Sequence, residues 1–322
     1  MIAVSERDYI TKGIECGVRA DGREAMDSRP FFLETGMITQ ASGSCRVTID
    51  HGTDVLAGVK VQVANTEGRL EELAEDGGAS SDPTSVAHND DMDTDLVPAN
   101  EAANKGNVGR VVCSVECSPA ANTVMDVRAI EDMCNEYTQV LNRIMNGPHG
   151  GLDLHSLCII PGSTCWVVNI DVLIMDYGGN VLDTILMAVR GALHNTRLPK
   201  VIVEETDGHC EFDIADDETE VLCGRENVPI AMTLSRIGTG HIVDATPLED
   251  MCASLKITVF VNAAGNVCGM QKTGEGSLEP SILIDMIETG AKMGAASLTS
   301  LDKVLQSEER DRLNRVDPVG FR

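Results

Sequence analysis

Asp171, Asp176 and Asp183 are the acids of this chain best placed for chemistry, set in the otherwise apolar run NIDVLIMDYGGNVLDTILMAV. General acid–base work by paired carboxylates needs two such groups within reach of one bond. Asp171 and Asp176 lie five residues apart, so on an unbroken strand they point to opposite faces. Shared work there requires a bend. Asp183 follows Asn180 by three residues, a spacing that predicts a helix start with Asn180 as N-cap and Asp183 favoured by the helix dipole. Gly274-Glu275-Gly276, ahead of another helix, could resemble a phosphate-cradling turn, but Glu275 repels an anion and a plain turn is expected.

Other catalytic signatures are missing. The chain has no G-x-x-x-x-G-K-[ST], no H-E-x-x-H and no G-x-S-x-G. Its eleven cysteines sit in apolar runs such as VVCSVEC and SLCII, and none forms a C-x-x-C pair. Cys113 and Cys117 on one strand would be about 13 Å apart, too far to share an ion. Reduced, structural thiols are expected, and the seven histidines show no metal spacing. Neither metal nor cofactor is expected.

The 322 residues carry 25 Lys+Arg against 51 Asp+Glu, a net charge of −26, with 43% hydrophobic residues. Wholesale disorder is excluded by that hydrophobic content. The acidity argues against binding nucleic acid or an anionic membrane through the bulk field, although a few local cations could still touch RNA inside an assembly. The start, MIAVSERDYITKG, is charged where a signal peptide is apolar, and no apolar run approaches the roughly 18 residues of a membrane span. Two stretches concentrate the charge: residues 66–106 and residues 204–220 each carry a net −9. The first reads as a disordered insertion, the second as a solvated acidic connector between two structural halves.

The remaining pattern repeats. Alternation over 45–64 around His51-Gly52 predicts a hairpin, and 108–117 another strand. A helix is expected over 126–146, strands near 157–160 and 165–175, and a helix over 180–194. The second half predicts strands near 200–203, 228–236 and 240–244, then a short helix opened by the capping box Thr246-Pro247-Leu248-Glu249. Strands 255–262 and 266–272 and a long helix from about Pro280 to Glu309 follow. Strands then helices, twice, favours an α+β fold.

RADGR (19–23), ASGSCRVTIDHGTDVLAGVK (41–60), NIDVLIMDYGGNVLDTILMAVRGALHNTRLP (169–199) and VDAT (243–246) together resemble the RNase PH family. The resemblance implies two α+β halves, the first like the second domain of ribosomal protein S-five, divided here as 1–198 and 199–322. Active members cleave RNA from its 3′ end with orthophosphate, placing an acid and then a hydroxyl- and Arg-bearing loop at the strand–helix junction. Asp176 falls at the acid position, but the loop Tyr177-Gly178-Gly179-Asn180 has no Ser, Thr, Arg or Lys. Arg190 lies ten residues beyond Asn180, roughly 15 Å along a helix, too far to replace the missing anion ligand.

The segments D-Y-G-G-N-x-x-D, ENVPIAMTLSRIG (226–238) and KTGEGSLEP (272–280) resemble the branch of non-catalytic RNA exosome ring subunits. That likeness implies an inert structural subunit that threads RNA to other nucleases. Its implied partners are other RNase PH-like ring subunits, RNA-binding cap subunits, hydrolytic exoribonucleases and RNA. Its implied location is nucleus, nucleolus and cytoplasm. DVRAIED (126–132) resembles a helix start at which family arginines hold RNA; Arg128 matches, while the next expected Arg is Cys134. The alternatives are an active phosphate-dependent exoribonuclease and an acidic adaptor.

Overall fold

The computed structural model describes residues 3–65, 108–121, 126–206 and 209–314. The insertion expected at 66–106 lies outside the described residues. In chain order the elements are α1 (Val4–Glu15), β1 (Phe31–Thr35), β2 (Gly43–Ile49), β3 (Asp54–Asn65), β4 (Arg110–Cys117), α2 (Val127–Met145), β5 (Cys158–Ile160), β6 (Thr164–Asp176) and α3 (Val181–Asn195). Then come β7 (Arg197–Thr206), β8 (His209–Val221), β9 (Ile230–Ile237), β10 (Gly240–Val243), α4 (Pro247–Cys252), β11 (Leu255–Val261), β12 (Val267–Thr273) and α5 (Pro280–Leu313). The expected elements all form. Helix α1 and strand β1 are additions that no periodicity above indicated.

Strands β1-β2-β3-β6-β4 make one sheet, with β5 paired to β6, and β10-β9-β11-β12 make a second. Most pairs are antiparallel, but β4 runs parallel to β6. One face of the first sheet is buried because every second residue is apolar: Cys45 and Val47 on β2, Val55, Ala57 and Val59 on β3, Ile170 and Val172 on β6. Helix α3 covers that face. It is buried on all sides from Val181 to Leu193, with Asp183, Thr184 and Arg190 buried among its apolar residues. Its other flank packs on β9, so one helix serves both sheets.

Residues 204–220 depart from expectation. Where a solvated connector was expected, β7 and β8 pair as an antiparallel hairpin, with Val201 opposite Ile214 and Val203 opposite Phe212. The strand expected near 200–203 runs on to Thr206, and cross-strand pairing carries it into the acidic stretch.

Strands β3 and β4 flank β6, and Asn65 stands opposite Thr164 while Arg110 stands beside Val167. The two ends thus meet at one end of the sheet, separated by about two strand spacings and a slide of a few residues, roughly 15 Å. A short linker can span that gap. Deleting 68–104 should therefore leave soluble, folded protein, judged by circular dichroism and a thermal midpoint near that of the parent; insoluble protein would count against it.

Candidate functional site

The end of β6 contains the bend that shared acid chemistry requires. Ile174 pairs with Val55 but Asp176 pairs with Asp54, so Met175 is an inserted residue. The insertion turns Asp176 onto the open face that already carries Asp171. Both carboxylates are exposed, yet they remain five residues apart, about 15 Å along the strand. The two acids do not share a bond. Asp176 instead accepts the Tyr177 N–H at 2.8 Å, and across the ladder Asp54 is paired with Arg46 at 2.5 Å.

The loop after Asp176 is clamped to its neighbours. Gly178 N–H donates to Thr53 Oγ1 at 3.1 Å, and Thr53 Oγ1 donates to the Gly179 carbonyl at 2.5 Å. The Gly178 carbonyl accepts from Arg29 Nη1 at 2.9 Å. A Cβ at Gly178 would stand 2.2 Å from the Gly52 backbone, and one at Gly179 would stand 2.4 Å from the Ala245 carbonyl. Glycines are required here because three backbone segments touch. The consequence is chemical: the amides of residues 177 and 178, which a phosphate loop would offer to an anion, are already donating within the protein.

Asn180 corrects the capping expectation. It does stand before α3, but at φ 54°, and its side chain makes no cap bond. Its Nδ2 donates instead to Asp244 Oδ1 at 3.1 Å. Asp244, buried and also at positive φ, accepts from Arg29 N, Nε and Nη2 at 2.7, 2.9 and 2.7 Å and from Arg23 Nη1 at 2.9 Å. Burial alone would raise this carboxyl, but the bonds and charge of Arg29 hold it below the ordinary range. Arg19 completes the node: it pairs with Glu249 at 2.7 Å, both side chains being buried, and donates to the carbonyls of Val243 and Asp244. Glu249 also closes the capping box on Thr246 as expected, accepting the Thr246 N–H at 2.8 Å. The RADGR, DYGGN and VDAT segments thus meet at one ion-pair network.

Asp183 stands in the first turn of α3, as expected, and its side chain also reaches beyond its own helix. Its carboxylate crosses to β9, accepting from Thr233 N at 2.9 Å and Thr233 Oγ1 at 2.7 Å, and Thr233 Oγ1 lies 2.9 Å from Thr258 Oγ1. Burial pushes its pKa up to about 6, against the pull of the Thr233 bonds. Beside it lies a cavity of about 80 Å³, lined by Tyr137, Tyr177, Asp250, Lys256 and Glu136 among others. Ordinary ligand sites span roughly 300–1,000 Å³. Lys256 is already paired with Asp250 at 2.7 Å, which leaves Glu136 to set the charge. An orthophosphate finds no counter-charge there.

The remaining expectations resolve simply. Arg190 is buried and committed to Asp302 at 2.8 Å and to the carbonyls of Val228 and Glu226. The 274–276 segment is a bend, with Gly274 at φ 100°, and its Gly276 N–H donates to the Ser254 carbonyl. Arg128 is exposed in the first turn of α2, with no ion-pair partner among the described residues. Cys134 is 8% exposed, so the position expected to carry a second cation holds a largely buried thiol. No cluster of three or more His, Cys, Asp or Glu suited to a metal occurs among the described residues. No helix among them is long and apolar enough to cross a membrane. Sequence reasoning assigned no role to Arg29, Thr53 or Thr233; only the quoted motifs beside them hinted at one.

Two α+β units sharing one buried helix, with a strand-to-helix loop held at their junction, define an RNase PH-type chain. Residues 27–199 match the model of the 3′ exoribonuclease family, domain 1, and residues 227–293 match domain 2. The chain belongs to this family. It is 30% identical to an exosome complex component Rrp42 of Sulfurisphaera tokodaii, over 91% of each protein. It is 28% identical to a Dictyostelium discoideum protein named "Putative exosome complex exonuclease RRP42", covering 95% of this chain and 98% of that one. Its fold is similar to a chain of the Archaeoglobus fulgidus exosome with RNA bound to the active site, with a TM-score of 0.69 at 22% identity over 92% of this chain and 97% of that one.

Proposed function

We propose that the chain is a catalytically inert ring subunit of an RNA exosome core. The observation that carries this reading is the loop 177–180, which keeps the acid Asp176 but has no cation and has its first amides engaged by Thr53 and Asp176. Phosphorolysis needs preorganised donors around orthophosphate. The names of the relatives, exosome complex components, support membership of that assembly; within it we assign as partners RNase PH-like ring subunits, RNA-binding cap subunits, hydrolytic exoribonucleases that do the cutting, and RNA passing through. Such a subunit would work in nucleus, nucleolus and cytoplasm.

The purified chain should release no nucleoside diphosphates from RNA when phosphate is supplied, and should form a heterodimer with an RNase PH-like ring partner in size-exclusion chromatography. Asp176→Asn should leave degradation by the assembled exosome unchanged. Phosphate-dependent shortening by the chain alone, abolished by Asp176→Asn, would establish the alternative, an active exoribonuclease.

Within the ring, Arg128 is proposed as an RNA phosphate contact, because it is exposed at a helix start and has no ion-pair partner among the described residues. Arg128→Ala should weaken RNA retention by the assembled core modestly, lowering the slope of log affinity against log salt by about 0.7. An unchanged slope and affinity at low salt would remove the contact but not the ring assignment.

A further inference from the structure

Cys158 on β5 and Cys165 on β6 stand directly opposite each other across an antiparallel ladder. Among the described strand pairs, this is the one register position that sets cysteine against cysteine. The main-chain bonds around it fix its type. Trp166 N–H donates to the Leu157 carbonyl at 2.8 Å, and Cys158 N–H donates to the His155 carbonyl at 3.1 Å, not across to Cys165. The two cysteines are therefore a non-hydrogen-bonded pair, the kind whose Cα atoms lie about 4.5 Å apart with both side chains on one face.

Disulfides span Cα separations of about 4.4–6.8 Å, so these sulfurs can join with little movement of either strand. The separation is at the short end of that range, where a bridge is strained and readily reduced again. Access differs between the two thiols. Both are reduced in the structure, Cys158 being half-buried and Cys165 only 7% exposed. A small oxidant can reach Cys158, while Cys165 is sheltered from one. Burial raises the pKa of Cys158 above its ordinary value, so little thiolate is present near neutral pH and the opening attack is slow.

We propose that Cys158 and Cys165 form a redox modification site, closed as a cross-strand disulfide by a low-molecular-weight disulfide of the glutathione class. The Cys158 thiolate attacks one sulfur of the oxidant, forming a mixed disulfide and releasing one thiolate. The Cys165 thiolate then attacks the Cys158 sulfur and releases the second. Two protein thiols become one disulfide, and the oxidant becomes two thiols that take up the two protons. The bridge staples β5, only three residues long, to the start of β6. This does not rest on the ring assignment, since both cysteines belong to one chain.

The test incubates the full-length chain with glutathione disulfide for several hours, blocks the remaining thiols by alkylation and maps the digest by mass spectrometry. The parent should yield a peptide pair joined through residues 158 and 165, which excess reduced glutathione separates. Cys165→Ser should instead keep glutathione on Cys158, because no second thiol displaces it, and Cys158→Ser should leave Cys165 unmodified. Cys165→Ala stands in for the serine variant if a thermal melt shows that the hydroxyl disturbs folding. The exposed Cys16 and Cys223 report that the oxidant has acted. Once these carry glutathione, a parent without the 158–165 link, a link from either residue to a third cysteine, or a Cys165→Ser chain bare at Cys158 would overturn the proposal.

Discussion

Asp244→Ala should destabilise the fold by about 3–5 kcal/mol, the penalty for removing one partner from a buried ion-pair network. The substitution strips Arg29 of three bonds, Arg23 of one and Asn180 of one. It also places alanine at φ 50°, where a Cβ without a locally bonding side chain costs about 1–2 kcal/mol more. Asp244→Asn separates these effects. Asparagine tolerates the left-handed backbone and keeps one acceptor, so it should lose less than alanine while still unpairing the arginines. Urea unfolding of the two variants beside the parent checks both claims. A loss under about 1 kcal/mol in Asp244→Ala would mean that Arg23 and Arg29 do not hold the junction together through the Asp244 carboxylate. The node joins residues of RADGR to the loop after β6 and to β10, so the loop geometry described above should loosen with it.

Asp183 makes stability fall as pH rises from about 4 to about 6. Its pKa in the fold is pushed up to about 6 by burial, against about 3.9 for an unfolded aspartate. Below pH 4 both states carry the proton, and its contribution is at its most favourable. Between pH 4 and pH 6 the native state keeps a proton that the unfolded state has released, so stability declines, and above about pH 6 the decline ends. Two pKa units correspond to about 3 kcal/mol. Asp183→Asn can keep the bonding pattern, accepting the Thr233 N–H and donating to Thr233 Oγ1, without a charge to bury. Its stability relative to the parent should therefore rise by about 3 kcal/mol between pH 4 and pH 7. Asp244, with its lowered pKa, acts in the opposite sense at lower pH, which is why the informative quantity is the difference between the two proteins. A difference flat with pH would place an ordinary, solvated carboxylate at position 183.

The two acids show how local and tertiary information divide. Alternation on β2 and β3, the mostly apolar course of α3 and the box at Thr246 are short-range patterns, and each appears in the structure where its period or spacing put it. The absence of a cation after Asp176 was equally legible, because a missing residue type needs no coordinates. Asn180 and Asp183 were legible as marking a helix start, and Asp183 does stand in the first turn of α3, but the partners of their side chains were not legible. Each satisfies its side chain with a group far along the chain, Asp244 and Thr233, and a spacing of three residues carries no trace of that choice.

Sequence by itself determined the α+β layering, the family likeness and the absence of any Ser, Thr, Lys or Arg from the loop 177–180, since these follow from periodicity, motif and residue type. Tertiary structure alone decided three other things. It turned the acidic stretch 204–220 from an expected connector into paired strands, because cross-strand partners outweigh the composition of either strand alone. It inserted Met175 and so turned Asp176 to the face of Asp171, a register effect that pairing with Asp54 and Val55 imposes. And it gathered Arg19, Arg23 and Arg29 around Asp244 and Glu249, more than two hundred residues away. Buried charges must find partners wherever the fold brings them, and that requirement acts through space, where the order of residues along the chain does not reach.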